Sequence, residues 1–177
     1  MAEQIPLAEQ DSPAEKMRHA QAKTSGSDTG TKPASLERAG LDYELIELFF
    51  FAYRDFTSDP DVILEKRGFG RAHHRVLHFV DREPGMTVAD LLETLKITKQ
   101  SLARVLKQLI DGGYIHQVAG PEDRRQRMLY TTHEGKALAK ALAEPQSKRI
   151  ADALAKLGPE GRDTVRRFLA SMKTGSV

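Results

Sequence analysis

Between positions 98 and 107 the chain places Thr98, Lys99, Gln100, Ser101, Arg104 and Lys107, and between 123 and 127 it places Asp123, Arg124, Arg125 and Arg127. These residues hold neither a nucleophile with its base nor a metal-ligand set. Their chemistry is hydrogen bonding and positive charge offered to a polyanion. Arg and Lys pair with guanine, Gln with adenine, and Ser with a base or a phosphate. The window 96–130 holds seven Lys and Arg against three Asp and Glu, a net charge of +4, whereas the whole chain carries only +2. A local cationic patch is the electrostatic footprint of a nucleic-acid binder. The competing account is a solvated helix face, and the surrounding elements decide between the two.

Other residues offer less chemistry. His74 and His78 stand at i, i+4, a spacing that can hold a metal, with Glu65 and His133 the further ligands to consider. A metal- or haem-responsive use of the histidines at 73–78 is therefore an alternative to a solvated or interface face. His73, at the edge of an apolar stripe, reads as a packed and hydrogen-bonded histidine. In an effector pocket it would instead be a pH-sensitive group. Tyr43, Phe50, Tyr53 and Phe79 could line an aromatic-binding pocket with Arg71 pairing with an anionic effector, although aromatic residues at helical spacing more often form core.

No Ser-His-Asp arrangement, HExxH or phosphate-cradling glycine loop stands out, so no catalytic residue, metal or cofactor is expected and the protein does not read as an enzyme. The chain has no cysteine, which removes disulfides and thiolate chemistry. No apolar run approaches the ~18 residues of a membrane span, and the N-terminus lacks the pattern of a signal peptide. The expectation is a cytoplasmic protein without membrane contact.

The elements that must position the patch follow from punctuation and periodicity. Residues 1–38 are rich in Ala, Ser, Gly, Pro, Gln and charge and read as a disordered tail, with a transient helix near 13–22. "LDYELIELFFFAYRDF" is apolar around most of its circumference and wants burial on more than one side; a partner subunit is the economical source of the second surface. "TSDPD" should end this helix near residue 57. A second helix is expected at about 69–82, with Ala72, Val76, Phe79 and Val80 on one face and Arg71, His74 and His78 opposite.

"TVADLLETLKITKQSLARVLKQLIDGGYI" then holds two capped helices. Thr87 with Asp90 makes a capping-box variant, Thr98 caps the second run, and Met86/Leu91 and Ile97/Leu102 sit at staple positions. Gly112 and Gly113 supply an αL stop. The tight turn between the runs is helix-turn-helix spacing. In the second helix Gln100, Arg104, Lys107 and Asp111 project away from the Leu102/Leu109 stripe, and a recognition helix reads base edges mainly through its N-terminal residues. Two β-compatible runs, 115–118 and 128–131, flank a polar loop and read as a hairpin whose arginines can reach a narrow minor groove. A long Ala/Leu helix follows, with Pro145 expected to kink or interrupt it. A last helix has Pro159 near its first turn.

With "DRRQRMLYTTHEGKAL" the sequence resembles the MarR family of bacterial transcription regulators over roughly 41–174. Asp123 and Arg125 match the family's Asp-x-Arg wing pair, and Thr132 and Gly135 match the start of its long helix. Thr131 stands where the family has Leu, a departure expected to weaken packing slightly. The resemblance implies a mainly α fold with a small β-hairpin wing: a winged helix-turn-helix at 85–131 and a helical dimerisation region at 39–84 and 132–177. It also implies a homodimer on a pseudo-palindromic double-stranded DNA operator, by family habit a repressor released by a small-molecule effector. Arg125 would enter the minor groove, oriented by Asp123. The rival from another class is a winged-helix protein-interaction module whose basic wing serves an acidic partner.

Overall fold

The computed structural model describes residues 40–174, so the tail expected at 1–38 and its transient helix lie outside the described residues. Six helices and one hairpin follow in order: α1 (Tyr43–Glu65), α2 (Arg71–Arg82), α3 (Val88–Leu95), α4 (Lys99–Asp111), β1 (Ile115–Ala119), β2 (Arg127–Thr131), α5 (His133–Leu154) and α6 (Gly161–Ser171).

Two prolines expected to break helices do not. α1 starts at the Asp42 cap, which accepts Leu45 N–H at 3.0 Å, and runs through "TSDPD" to Glu65. Pro60 has no N–H to donate four residues back, which would leave the Phe56 carbonyl without its helical partner. Gln146 of α5 donates its Nε2 to that carbonyl at 3.1 Å, and Arg149 of α5 holds Asp59 at 2.9 Å. The helix therefore survives its proline because the neighbouring helix replaces the lost bond. α5 likewise continues through Pro145, packed along α1. Pro159, by contrast, falls just before α6, which begins at Gly161 behind Glu160.

The buried stripe of α2 is His73, Val76, Leu77 and Val80. Sequence reasoning turned this face too far: Ala72 is exposed and Phe79 only half-buried. The i, i+3, i+4, i+7 set includes His73 at its centre, so the histidine belongs to the core.

That core is continuous from Leu64 through Val76, Leu91, Leu102 and Leu129 to Leu142, and burying each such side chain is worth about 1.5–3 kcal/mol. Both caps of the helix pair form as the sequence requires. Thr87 N–H donates to Asp90 Oδ2 at 2.8 Å and Asp90 N–H to Thr87 Oγ1 at 3.2 Å. Ser101 N–H donates to Thr98 Oγ1 at 3.2 Å. Helix α4 ends on Gly113 at φ 76. There Gly113 N–H reaches the Ile110 carbonyl and Tyr114 N–H the Leu109 carbonyl, each at 2.9 Å, the full αL stop.

The strands pair antiparallel, with Ile115 opposite Thr131, Gln117 opposite Leu129 and Ala119 opposite Arg127. β2 is also tied to the start of the helix pair, with Leu129 N–H on the Met86 carbonyl at 2.9 Å and Gly85 N–H on the Leu129 carbonyl at 2.8 Å. Thr131 is buried and donates its hydroxyl to Asp81 of α2 at 3.0 Å. A leucine cannot make that bond, so the departure at this position exchanges apolar packing for a buried polar tie.

Candidate nucleic-acid interface

Helix α4 buries Leu102, Val105, Leu106 and Leu109 and leaves Lys99, Gln100, Ser101, Arg104 and Lys107 exposed. The Thr98 hydroxyl donates to Ser101 Oγ at 2.9 Å, which fixes the serine at the first turn with its own proton free to donate outward. Lys107 is paired with Asp111 one turn on. An exposed pair of this kind is worth well under 1 kcal/mol, so it does not lock the lysine away from a phosphate.

The wing is a built loop. Gly120 N–H meets the Gln126 carbonyl at 3.0 Å, and Gln126 N–H meets the Asp123 carbonyl at 3.0 Å. Asp123 Oδ1 accepts the main-chain N–H of Arg125 at 2.8 Å. The aspartate therefore sets the backbone from which Arg125 projects, rather than gripping its guanidinium. Gly120 is demanded by this closure, since a Cβ there would stand 2.8 Å from the Asp123 carbonyl oxygen. Arg124, Arg125 and Arg127 are all exposed.

The wing is mounted on the end of α4. Thr132 N–H donates to the Tyr114 carbonyl at 3.0 Å, and its hydroxyl donates to the Gly113 carbonyl at 2.7 Å while accepting Gly135 N–H at 3.0 Å. One threonine thus closes the hairpin, caps α5 and fastens both to Gly113 and Tyr114, just past the end of α4.

On the helical scaffold Arg54, Arg71, Lys140, Lys148, Arg149, Arg166 and Arg167 have carboxylate partners. Among the described residues, Lys99, Arg104, Arg124, Arg125 and Arg127 form no ion pair, and Lys107 is the one cation of the patch that does.

A cavity of about 530 Å³ lies where α1, α2 and α5 meet, lined by Tyr53, Phe56, Thr57, Arg71, His74, Arg75, His78, Phe79 and Gln146. Of the residues singled out for an effector pocket, the structure brings Tyr53, Arg71 and Phe79 together here. Tyr43 and Phe50 are exposed away from this cavity. His73 does not line it either. Its side chain is only 8% exposed, stacks on Phe69 with ring centroids 4.6 Å apart, and meets Gln108 Oε1 at 2.8 Å through Nε2.

Sequence reasoning passed over Phe56, Arg75 and Gln146, and set His74 and His78 on a solvated face. For His74, Arg75 and His78 the signal was an i+3, i+4, i+7 relation to Arg71; Phe56 and Gln146 come from other helices and left none. Arg71 holds Asp61 at 2.7 Å. Burial lowers the pKa of His74 below its usual value, helped by His78 and opposed by Asp61. Burial also lowers that of His78, helped by Arg82 and opposed by Asp81. Both imidazoles therefore favour the neutral form near pH 7. Their ring centroids are 6.5 Å apart, but among the described residues no three His, Asp or Glu side chains gather as a metal site.

Two capped helices, a tight turn and a hairpin fastened to the second helix define a winged helix-turn-helix protein. Residues 67–126 match the MarR family. The chain is 47% identical over 127 residues to the HTH-type transcriptional regulator PetP of Rhodobacter capsulatus, covering 72% of this chain and 76% of that protein. Among solved structures it resembles a MarR protein from Peptoclostridium difficile, with TM-score 0.64 at 18% identity over 80% of this chain and 92% of that one. It also resembles Streptococcus pneumoniae FabT, solved in complex with DNA, with TM-score 0.61 at 18% identity over 75% of this chain and 100% of that one. The chain belongs to the MarR family of transcriptional regulators. No helix among the described residues is long and apolar enough to cross a membrane.

Proposed function

We propose that the protein is a homodimeric repressor that binds a pseudo-palindromic double-stranded DNA operator and is released by a small-molecule effector. The observation that carries the DNA-binding reading is a cluster of exposed cations on two elements, α4 and the wing, that Thr132 fastens together. Of that cluster only Lys107 is engaged by a carboxylate. Lys99, Gln100, Ser101 and Arg104 meet the major groove or its phosphates from the first turns of α4, where the helix N-terminus adds its own attraction for phosphate. Thr98 contributes by shaping that turn. Arg125 enters the adjacent minor groove from the backbone set by Asp123, and Arg124, Arg127 and Lys107 serve phosphates.

The dimer reading rests on apolar surface. Tyr43, Leu45, Leu48, Phe50 and Phe51 of α1 lie open, Phe50 at 69% exposure. Phe49 stacks on Phe168 of α6 at 5.9 Å, which joins this surface to the exposed Leu169 and Met172. A continuous apolar face of this kind marks an interface. Two-fold symmetry then sets half-sites about one DNA turn apart. The effector reading rests on the cavity, whose aromatic walls and two arginines suit an anion with an aromatic body.

The test is fluorescence anisotropy on DNA from the protein's own upstream region and on random duplex at two salt concentrations. A dimer using five or so phosphate-facing cations per protomer should show a steep salt dependence, on the order of −0.9 in log K per log salt for each phosphate neutralised. Arg125→Ala should weaken binding severely, and Arg104→Ala should cost ~1–3 kcal/mol and alter base preference. Weak, salt-insensitive binding to both DNAs would instead favour a protein partner for the wing.

A further inference from the structure

We infer that Arg75 is a positioning residue for the helix-turn-helix and the point at which an anion in the cavity acts on it. The inference rests on the DNA-binding reading above and adds the route by which that binding is regulated.

Helix α2 holds the helix pair at two points. The first is His73. Its Nδ1 accepts Gly70 N–H at 3.1 Å, so Nε2 carries the proton and donates to Gln108 in the third turn of α4 at 2.8 Å. The histidine of this mount is buried, and neither partner borders the cavity. The second is Arg75, whose Nη2 donates to the Leu95 carbonyl at 3.2 Å. Leu95 is the last residue of α3, and its carbonyl lies at the negative end of that helix, where a cation is favoured. Lys96, immediately after it, sits at φ 51 and is the one non-glycine residue of positive φ among those described. The turn that aims α4 is therefore backbone-strained, and Arg75 bonds to it at its first residue.

Arg75 also forms part of the cavity wall. The other guanidinium there, Arg71, is neutralised by Asp61. Among the described residues Arg75 has no carboxylate partner, and its acceptor is a neutral carbonyl. The bond to the Leu95 carbonyl is charge-assisted from the arginine's side alone, whereas a carboxylate brings a full opposite charge and a bidentate geometry to the same guanidinium. A carboxylate or similar anion entering the cavity therefore draws Arg75 from Leu95 and loosens the turn, while the His73–Gln108 mount stays in place. Occupancy of the cavity becomes mobility at residues 95–101, and DNA affinity falls.

The test uses the full-length protein, Arg75→Met, which keeps the aliphatic stem, Arg75→Lys, which keeps a donor and a charge, and Arg71→Met. Benzoate at millimolar concentration is the anion probe. DNA affinity and hydrogen exchange over residues 95–102 are read with and without it. Without benzoate, Arg75→Met should bind DNA about five- to tenfold more weakly and exchange faster over 95–102. Arg75→Lys should retain most of the affinity, and Arg71→Met should match the wild type. Benzoate should weaken DNA binding and speed exchange in the wild type and change neither in Arg75→Met. Wild-type affinity and exchange in Arg75→Met, or an equal loss in Arg71→Met, overturns the positioning role. Benzoate without effect on the wild type overturns the cavity's part in it. If the wild type prefers no DNA, the DNA-binding reading fails, and exchange over 95–102 alone still decides whether Arg75 holds the turn.

Discussion

Replacing Gly135 by alanine should uncouple the wing from α4. A Cβ at this position would lie 2.0 Å from the Tyr114 carbonyl oxygen and 3.0 Å from its carbon. An unstrained carbon–oxygen contact needs about 3.3 Å, so helix α5 or the Tyr114 peptide must retreat by roughly 1.3 Å. The same carbonyl oxygen accepts Thr132 N–H at 3.0 Å, and Thr132 Oγ1 holds the Gly113 carbonyl at 2.7 Å. A shift of that size breaks both bonds. Two lost bonds at a largely buried junction cost about 1–3 kcal/mol each, and the better helix propensity of alanine returns at most about 1 kcal/mol. The net expectation is a loss of ~2–4 kcal/mol, a fall in melting temperature of roughly 5–15 °C for a chain of this size. Gly113→Ala is the control: its Cβ meets nothing within 4 Å although φ is 76, so its cost is confined to ~1–2 kcal/mol of backbone strain. Urea and thermal unfolding at one protomer concentration would measure both. A Gly135→Ala protein within about 1 kcal/mol of wild type, or less damaged than Gly113→Ala, would refute the close-approach account.

Three further outcomes are expected. Phe50→Glu places a charge in the centre of the exposed face of α1 and should convert the dimer to monomer in analytical ultracentrifugation; a wild type that is itself monomeric at tens of micromolar would defeat the homodimer proposal. Lys96→Gly should raise the urea midpoint by the equivalent of ~0.5–1 kcal/mol, because glycine takes the left-handed conformation without penalty, whereas Lys96→Val should lower it. His74 and His78 have pKa values below 6.5 in the folded state and near 6.5 when unfolded. Between those values the unfolded chain binds more protons, so stability rises with pH there and falls on acidification from pH 7 toward pH 5. His74→Gln with His78→Gln should flatten that slope, and an unchanged slope would contradict the partial desolvation of the imidazoles.

Local chemistry was legible in the sequence and long-range compensation was not. The Thr87 and Thr98 caps, the Gly113 stop and the hairpin each depend on residues close together in the chain, and each forms; the strands expected at 115–118 and 128–131 each gain one residue toward the loop, to Ala119 and Arg127. The outward face of α4 was readable for the same reason. Pro60 looked like a terminator because its rescue comes from Gln146. Thr131 looked like a packing defect because its partner, Asp81, is 50 positions away. His73 was set at the rim of its helix because a histidine among apolar residues looks like an edge, and the Gln108 acceptor that allows its burial lies on another element. The cavity suffered most. Its walls come from α1, α2 and α5, and only the arrangement of those three helices separates Tyr53 from Tyr43 or His74 from His73.

The bond from Gln146 to the Phe56 carbonyl has a consequence for the order in which the molecule is made. The donor lies 90 positions after the acceptor. At synthesis rates of ~5–20 residues per second, on the order of 5–20 seconds separate the two residues at the ribosome. During that interval the Phe56 carbonyl has no donor from the chain, and α1 is weakest at its proline. The winged domain between them, built from near-neighbour contacts, can close first. The bond that spans Pro60 is therefore made only after every residue of the helix pair and the hairpin has been synthesised.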